Sequence, residues 1–427
     1  MNILVFAFQL HPTKGSECAV AWDYITSMSK FHKIHVIYGS CEGYHEIGNT
    51  AYMEEYTKYN LIDNTKFIPF KPSFISKNYG YNAFETLFFY NEYKKYHKEV
   101  YCFAKEYIKK HNIDLIHYLG PIGYHEPGYL YNLDVPYIWG PIGGFSNINF
   151  RLLPATFSIK GGLNLIIKSL MNIIQCYSSR RLKHALKSAS LVIASTTEAQ
   201  KIIQKISPVA HVSYLPENCI KELHQLNFEK FSAPIIRLIW IGRLDSNKGL
   251  SILLKSLSLL PKNSPIELNI VGDGPLEHKM IEYAKLLDIM HFIKWHGRIA
   301  RDKIYELLDI SHLHIITSLN DANTTVVWEA MSMGVPTLSL DHRGMHDTID
   351  SHTGIKIPII SYKQTVKEIA NQLINIINNP EILHRLAVCV INTRDKYTWN
   401  NRVSIFNELY EKAIQRYNTH KNKLFHS

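Results

Sequence analysis

Asp321 and Glu329 lie eight residues apart in TSLNDANTTVVWEAMSMGVP (317–336), where an apolar strand gives way to a polar loop and then to a helix. Asn323 and Thr324 are types that favour a helix N-cap. The helix is therefore expected to start near them, with Thr325 in its first turn. A start at Asn323 puts Glu329 about 9 Å further along the axis, at roughly 1.5 Å per residue. The backbone N–H groups between the two acids then make an anion site backed by the positive end of the helix dipole. This order suits a ligand that presents hydroxyls, then phosphates, then hydroxyls. Asp321 would accept from a sugar, the helix end would hold a diphosphate, and Glu329 would accept from a ribose.

Two earlier stretches supply positive charge and tight turns. GRLDSNKG (242–249) follows a strand, which puts Arg243 and Lys248 on a loop at the strand's carboxyl end, where open α/β sheets bind ligands. A guanidinium grips phosphate oxygens bidentately and a lysine acts as a compact point charge. Gly242 opens the loop, and Gly249 permits a tight entry into the next helix. VGDGP (271–275) is a strand and a turn that needs unusual backbone angles at Gly272 and Gly274. Singly, these are solvated charges, a common αβ loop and a satisfied helix carboxylate. Together and in order, each at a strand's end, they point to a phosphorylated sugar ligand.

The elements that must position these residues read as alternating βα units. Apolar runs at 2–8, 33–38, 114–118, 135–139 and 190–195 form one series, and runs at 237–242, 266–272, 312–318 and 336–341 form a second. Helix-length segments separate most of them, the pattern of parallel sheets covered on both faces. A chain of 427 residues is too long for one core. The expected fold class is thus α/β with two doubly wound Rossmann-like domains, at 1–225 and 234–398. The rhythm lapses from Pro216 to Pro234, where the linker is placed. After Trp399 an amphipathic helix is expected over 399–420.

The net charge of +10 favours phosphate-bearing partners without choosing among them. No nucleic-acid recognition motif accompanies it. Cys18, Cys41, Cys102, Cys176, Cys219 and Cys389 are scattered, with no CxxC pair or His cluster at metal spacing, so reduced, buried thiols in a cytosolic protein and no metal are expected. The opening MNILVFAFQL reads as a first strand, since it lacks a basic n-region and a cleavage site. No apolar run reaches the roughly 18 residues of a membrane span. Two stretches depart from plain βα units: a long helical pattern from Tyr79 to Lys110, and Leu163 to Ile174, with Arg180, Arg181, Lys183 and Lys187 behind it. The second is either a helix packed on its own sheet or a basic amphipathic surface for anionic lipid.

These residues resemble the C-terminal domain of the retaining GT-B glycosyltransferases, specifically family 4 (glycosyl transferases group 1). The family pattern is a basic pair, a GDGP turn and two acids ending in Glu-Ala-Met, here Arg243 and Lys248, Gly272 to Pro275, and Asp321 and Glu329 followed by Ala330 and Met331. The resemblance implies that Arg243 and Lys248 bind the donor diphosphate, Glu329 the ribose and Asp321 the donor sugar. It places the nucleobase near Trp295, His296, Gly297 and Arg298, and Gly15 on a glycine loop facing phosphates and acceptor. It also implies two domains facing a cleft and a C-terminal helix crossing back to the first. Asp321 is shorter than the commoner Glu, and Gly140 of WGPIGG (139–144) stands where many relatives carry a histidine, which leaves Glu17, His117 and His125 as acceptor-side candidates.

The implied reaction moves a sugar from a UDP- or GDP-sugar to a glycan or lipid-linked acceptor with retention, in cell-envelope polysaccharide synthesis on the cytoplasmic side. It needs no metal or cofactor. A nucleotide-sugar epimerase of the same fold and a non-catalytic nucleotide-sugar-binding partner are the alternatives, since fold does not fix function.

Overall fold

The computed structural model describes residues 1–12, 17–39, 50–73 and 89–425. The chain divides into two units, one of Met1–Phe145, Ile174–Glu217 and Trp399–Ser427, the other of Ser146–Ile173 and Asn218–Thr398. The expected division at 225/234 therefore needs correction. Residues 146–173 group with the second unit because Leu152 and Ala155 pack into its core beside Leu250 and Leu253. No strand announces this excursion, so strand rhythm could not reveal it.

The first unit contains β1 (Asn2–Ala7), β2 (Lys33–Gly39), β3 (Thr65–Phe70), β4 (Leu115–Gly120), β5 (Tyr137–Ile142), β6 (Leu191–Ala194) and β7 (Val212–Tyr214). They form a parallel sheet in the order β3-β2-β1-β4-β5-β6-β7. The second contains β8 (Ile236–Ile241), β9 (Ile266–Val271), β10 (Ile293–Gly297), β11 (Leu313–Ile316), β12 (Thr337–Leu340) and β13 (Gly354–Ile357), in the parallel order β10-β9-β8-β11-β12-β13. Two doubly wound sheets are what the strand series predicted.

The helices of the first half are α1 (Glu17–Met28), α2 (Thr50–Tyr59), α3 (Phe89–His111), α4 (Ile159–Ser178), α5 (Arg180–Ser188) and α6 (Thr197–Ile206). Those of the second are α7 (Leu250–Leu257), α8 (Glu277–Leu286), α9 (Arg301–Ile310), α10 (Thr325–Ser332), α11 (Arg343–Thr348), α12 (Tyr362–Asn378), α13 (Glu381–Thr393) and α14 (Trp399–Phe425). The helical pattern expected from Tyr79 is seen as α3 from Phe89, its earlier part lying outside the described residues.

Side-chain alternation explains why the central strands are apolar throughout. Leu4 and Phe6 of β1 point to one side of the sheet, into a cluster with Tyr93, Tyr96 and Val100 of α3. Ile3, Val5 and Ala7 point to the other, among Tyr24, Ile25 and Met28 of α1 and Phe406, Leu409 and Tyr410 of α14. The last helix thus returns to the first unit, as expected. In the second unit Leu238 and Trp240 of β8 face the α7 side, and Ile239 and Ile241 face Leu308 of α9 and Ala330 of α10. Among the described cysteines none is in a disulfide, but Cys102 is exposed and Cys389 half-buried rather than buried.

Candidate functional site

Strand order reverses in the second sheet between β8 and β11, which pair directly. Ligands of open α/β sheets bind outside the strand ends at such a reversal. The 242–249 loop leaves β8 there and the 317–324 loop leaves β11. Bonds to the backbone join them: Leu319 N–H donates to Asn247 O at 2.7 Å, Ser318 Oγ to Asn247 O at 3.3 Å and Thr317 Oγ1 to Lys248 O at 3.0 Å. Gly249 enters α7 at φ +60, and a Cβ there would lie 2.3 Å from Thr317 O. The GDGP turn fits as tightly on the other side. Gly272, at φ +129, would bring a Cβ to 1.9 Å from Gly242 O. Leu244 N–H donates to Asp273 O at 2.7 Å and Leu276 N–H to Leu244 O at 2.9 Å, which closes the turn holding Gly274 onto the basic loop.

Within this frame the charges pair. Lys248 Nζ forms an ion pair with Asp321 Oδ2, and Asn247 Nδ2 donates to Asp321 Oδ1 at 3.1 Å. Arg243 faces Asp245 at 3.8 Å and is two-thirds exposed. Glu329, buried in α10, takes an ion pair from Arg301 at the start of α9. Burial works against the Arg301 charge, but Glu329 and Tyr305 outweigh it and hold the guanidinium above its usual range. The nucleobase candidates stand next to the GDGP turn: Gly272 N–H donates to Gly297 O at 2.8 Å, His296 Nε2 meets Asn269 Oδ1 at 2.8 Å, and Arg298 is exposed.

The start of α10 differs from expectation in one respect. Thr324 is the N-cap and Thr325 the first helical residue, but no side chain caps the helix. Asn323 Oδ1 instead accepts from Trp328 Nε1 at 2.5 Å. Asn323 Nδ2, Thr324 Oγ1 and Asn247 Oδ1 are buried without a hydrogen-bond partner. Polar atoms in that condition are costly unless something else satisfies them. They surround the uncapped N–H groups between Asp321 and Glu329.

In the first sheet the reversal lies between β1 and β4. Gly15 lies outside the described residues. Glu17, at the start of α1, accepts from Ile122 N–H at 3.3 Å, and Gly143 N–H donates to Ile122 O at 2.8 Å. Burial raises the Glu17 carboxyl to about 7, with the Ile122 N–H only partly offsetting it. The His125 ring stacks on Tyr124 at 4.4 Å, and burial lowers it to about 4, so it is neutral at pH 7. His117 is a core residue and leaves the acceptor-side set: its Nδ1 meets Tyr410 Oη at 2.8 Å and Tyr24 Oη at 3.1 Å, and its Nε2 meets Gly140 O at 2.6 Å. Among the described residues no group of three or more His, Cys, Asp or Glu could hold a metal ion.

Residues 229–388 match the profile of the family described as glycosyl transferases group 1. The whole chain superimposes on HepE of Anabaena, solved with UDP and glucose, with a TM-score of 0.61 at 15% identity, covering 96% of this chain and 99% of that one. The chain has the GT-B fold, and its residues 229–388 are similar to a group 1 glycosyl transferase domain. Among curated relatives, the gpi3 subunit of phosphatidylinositol N-acetylglucosaminyltransferase of Schizosaccharomyces pombe is 23% identical over 38% of this chain. The putative teichuronic acid biosynthesis glycosyltransferase TuaC of Bacillus subtilis is 22% identical over 59% of it. The chain spans 36% and 59% of the lengths of these two relatives.

Three residues of the GT-B site escaped the sequence reading. Asn247 sits inside the GRLDSNKG motif but was not assigned a role. Arg301 reaches Glu329 across 28 positions, and only the geometry of α9 against α10 reveals it. His342 braces the Asp321 loop by a 2.9 Å contact between its Nε2 and Ser318 O.

Proposed function

We propose that this chain transfers a sugar from a UDP- or GDP-sugar to a hydroxyl of a glycan or lipid-linked acceptor with retention of configuration, in cell-envelope polysaccharide synthesis. The observation that carries the reading is the uncapped start of α10, flanked by Asp321 with Lys248 and by Glu329 with Arg301, and ringed by the unpartnered atoms of Asn247, Asn323 and Thr324. A diphosphate fits the N–H groups and the basic loop. A sugar hydroxyl fits Asp321 and a ribose hydroxyl fits Glu329. The UDP and glucose of HepE support the donor class, and the polysaccharide role of TuaC supports the acceptor class.

As the bond from sugar to diphosphate breaks, negative charge grows on the leaving phosphate while the acceptor hydroxyl attacks the same face. Preorganised donors aimed at that charge are the largest expected catalytic contribution. Arg243, Lys248 and the α10 N–H groups take that role, with Lys248 turning from Asp321 to the phosphate as the donor sugar engages the carboxylate. Glu17, with its proton held near neutrality, is the acceptor-side group, and His125 the second candidate. The buried thiols Cys18, Cys176 and Cys219, none of them in a disulfide, fit a reducing, cytoplasmic setting.

A screen of UDP-, GDP- and ADP-sugars for thermal stabilisation tests donor binding, followed by turnover with membrane extract as acceptor source and assignment of the product anomer. One donor should raise the melting temperature and yield a product of unchanged configuration. Stabilisation without turnover would point to a binding partner, and isomerised donor without acceptor to an epimerase. No stabilisation by any donor would overturn the reading.

A further inference from the structure

Residues 146–173 lie between β5 and β6 in the chain yet belong to the second unit. Several contacts tie them down there. Leu152 and Ala155 enter its core beside Leu250 and Leu253. Ser251 Oγ of α7 donates to Ala155 O at 2.7 Å, and Arg151 Nη1 donates to Ile359 O at 3.3 Å. The segment then runs into α4, where Ser158 Oγ accepts from Gly161 N–H at 3.1 Å and Ser158 O from Gly162 N–H at 2.8 Å. Gly161 is thereby held against Ser246 of the basic loop. A Cβ at Gly161 would lie 2.8 Å from Ser246 Cβ and closer still to Ser246 Oγ.

Glycine is among the poorest helix formers and alanine the best, so helix propensity gives no reason for a glycine at 161. The contact does. Rotation of the serine side chain could move its Oγ aside, but its Cβ moves only with the backbone. That backbone is the turn that carries the ligand-binding groups. Lys248 N–H donates to Asp245 O at 3.3 Å and Asn247 N–H to Asp245 Oδ1 at 2.9 Å, which makes Ser246 and Asn247 the two corners of the turn. From it Asn247 Nδ2 donates to Asp321 Oδ1 at 3.1 Å, and Lys248 Nζ pairs with Asp321 Oδ2. A push on Ser246 is passed to both residues that hold the Asp321 carboxylate.

We propose that Gly161 is a positioning residue for donor binding. It lets the start of α4 back the 242–249 turn closely, so that the 146–173 segment sets where Asn247 and Lys248 stand. The inference rests on the reading of 242–249 as the loop that takes the donor diphosphate. It does not require Gly161 to touch the donor.

Calorimetric titration of the full chain with UDP and with GDP tests this. Wild type should bind one of them, and Gly161→Ala should weaken that binding about tenfold while melting within about 5 °C of wild type. In a Ser246→Gly background, whatever its own affinity, the same substitution should cost less than about twofold, because the Cβ it would meet is gone. A role confined to the stability of α4 would give the same loss in both backgrounds. If Gly161→Ala does not fold, hydrogen exchange of wild type decides: the bound nucleotide should slow exchange at 158–163 together with 243–249, and protection of 243–249 alone would overturn the inference. Wild-type affinity in Gly161→Ala, or an equal loss with and without the Ser246 side chain, would overturn it and leave the donor reading standing. A wild-type chain that binds neither nucleotide would overturn the donor reading and this inference with it.

Discussion

At the reversal point of the second sheet, between β8 and β11, Lys248 meets Asp321 and Arg301 meets Glu329 around an uncapped helix start. At the corresponding point of the first sheet, between β1 and β4, Glu17 carries its proton up to about pH 7 and His125 is uncharged above about pH 4. The strand order outward from these points is the same in both sheets, except that the first carries one more strand, β7, at its far edge. What differs is the residues on the loops. The second sheet spends charged pairs on the reversal point, which suits a polyanion that can displace one partner of each pair. The first sheet buries its titratable groups, leaving His125 neutral and Glu17 close to half-protonated at pH 7, which suits a polyhydroxyl ligand and proton transfer. Topology fixes where a ligand goes, and the loops fix its chemistry.

The contrast is broken most directly at Lys248. Lys248→Ala removes a preorganised positive donor, and turnover with the stabilising donor should fall roughly 100- to 1000-fold. The melting temperature should fall only modestly, because Asn247 still donates to the Asp321 carboxylate when the lysine is gone. A variant with ordinary turnover would strip the second sheet of its catalytic character. Gly272→Ala acts on the frame instead. Its Cβ would collide with Gly242 O, and the native φ is one that only glycine adopts freely, so a loss of about 1–3 kcal/mol or more is expected in denaturant unfolding. Arg301→Ala leaves the Glu329 carboxylate buried and unpaired, which should cost about 1–3 kcal/mol of stability. If Glu329 accepts from the donor ribose as proposed, Arg301 orients that carboxylate rather than the reacting atoms, and KM for the donor should rise about tenfold with kcat near wild type. Arg301→Lys should restore part of the affinity, and a fall in kcat alone would give Arg301 a different role.

The legibility of the two regions also differs. The central strands were readable because they are buried on both faces and so appear as unbroken apolar runs. β3, β7, β10 and β13 were not, and all four are sheet edges. TKFIPF, which forms β3, carries Lys66 and Pro69, and an edge tolerates both a charge and a residue with no N–H to give. At the site, motif spacing singled out Lys248 and Asp321 because each lies on a loop leaving a strand end, and Glu329 because it sits in the helix that follows the second loop. It could not locate Arg301, whose partner is fixed only when α9 and α10 pack together. It assigned Asn323 to capping, where Trp328 claims its side-chain oxygen. Local rules marked the strand ends and the helix start but missed the side-chain bonds made there, whether to a near neighbour such as Trp328 or across packed helices.

The smallest effect concerns Glu17, and its sign can be worked out. Burial raises the carboxyl from 4.5 to about 7, so the folded chain holds the proton more tightly than the unfolded one. The stability this gives is complete below pH 4.5 and is lost as pH rises through about 7. Glu17→Gln removes the dependence. Its melting temperature should fall less than wild type's between pH 5 and 8 and should be the higher of the two at pH 8. If Glu17 also takes the proton of the acceptor hydroxyl, wild-type activity climbs through about pH 7, and the glutamine variant loses that climb, a difference of a few-fold at pH 8. The two measurements separate the roles. A flattened melting profile with an unchanged activity profile would make Glu17 a buried packing group held by Ile122. The first sheet would then bind its ligand without titrating, and the proton would have to leave with the nucleotide on the Lys248 side.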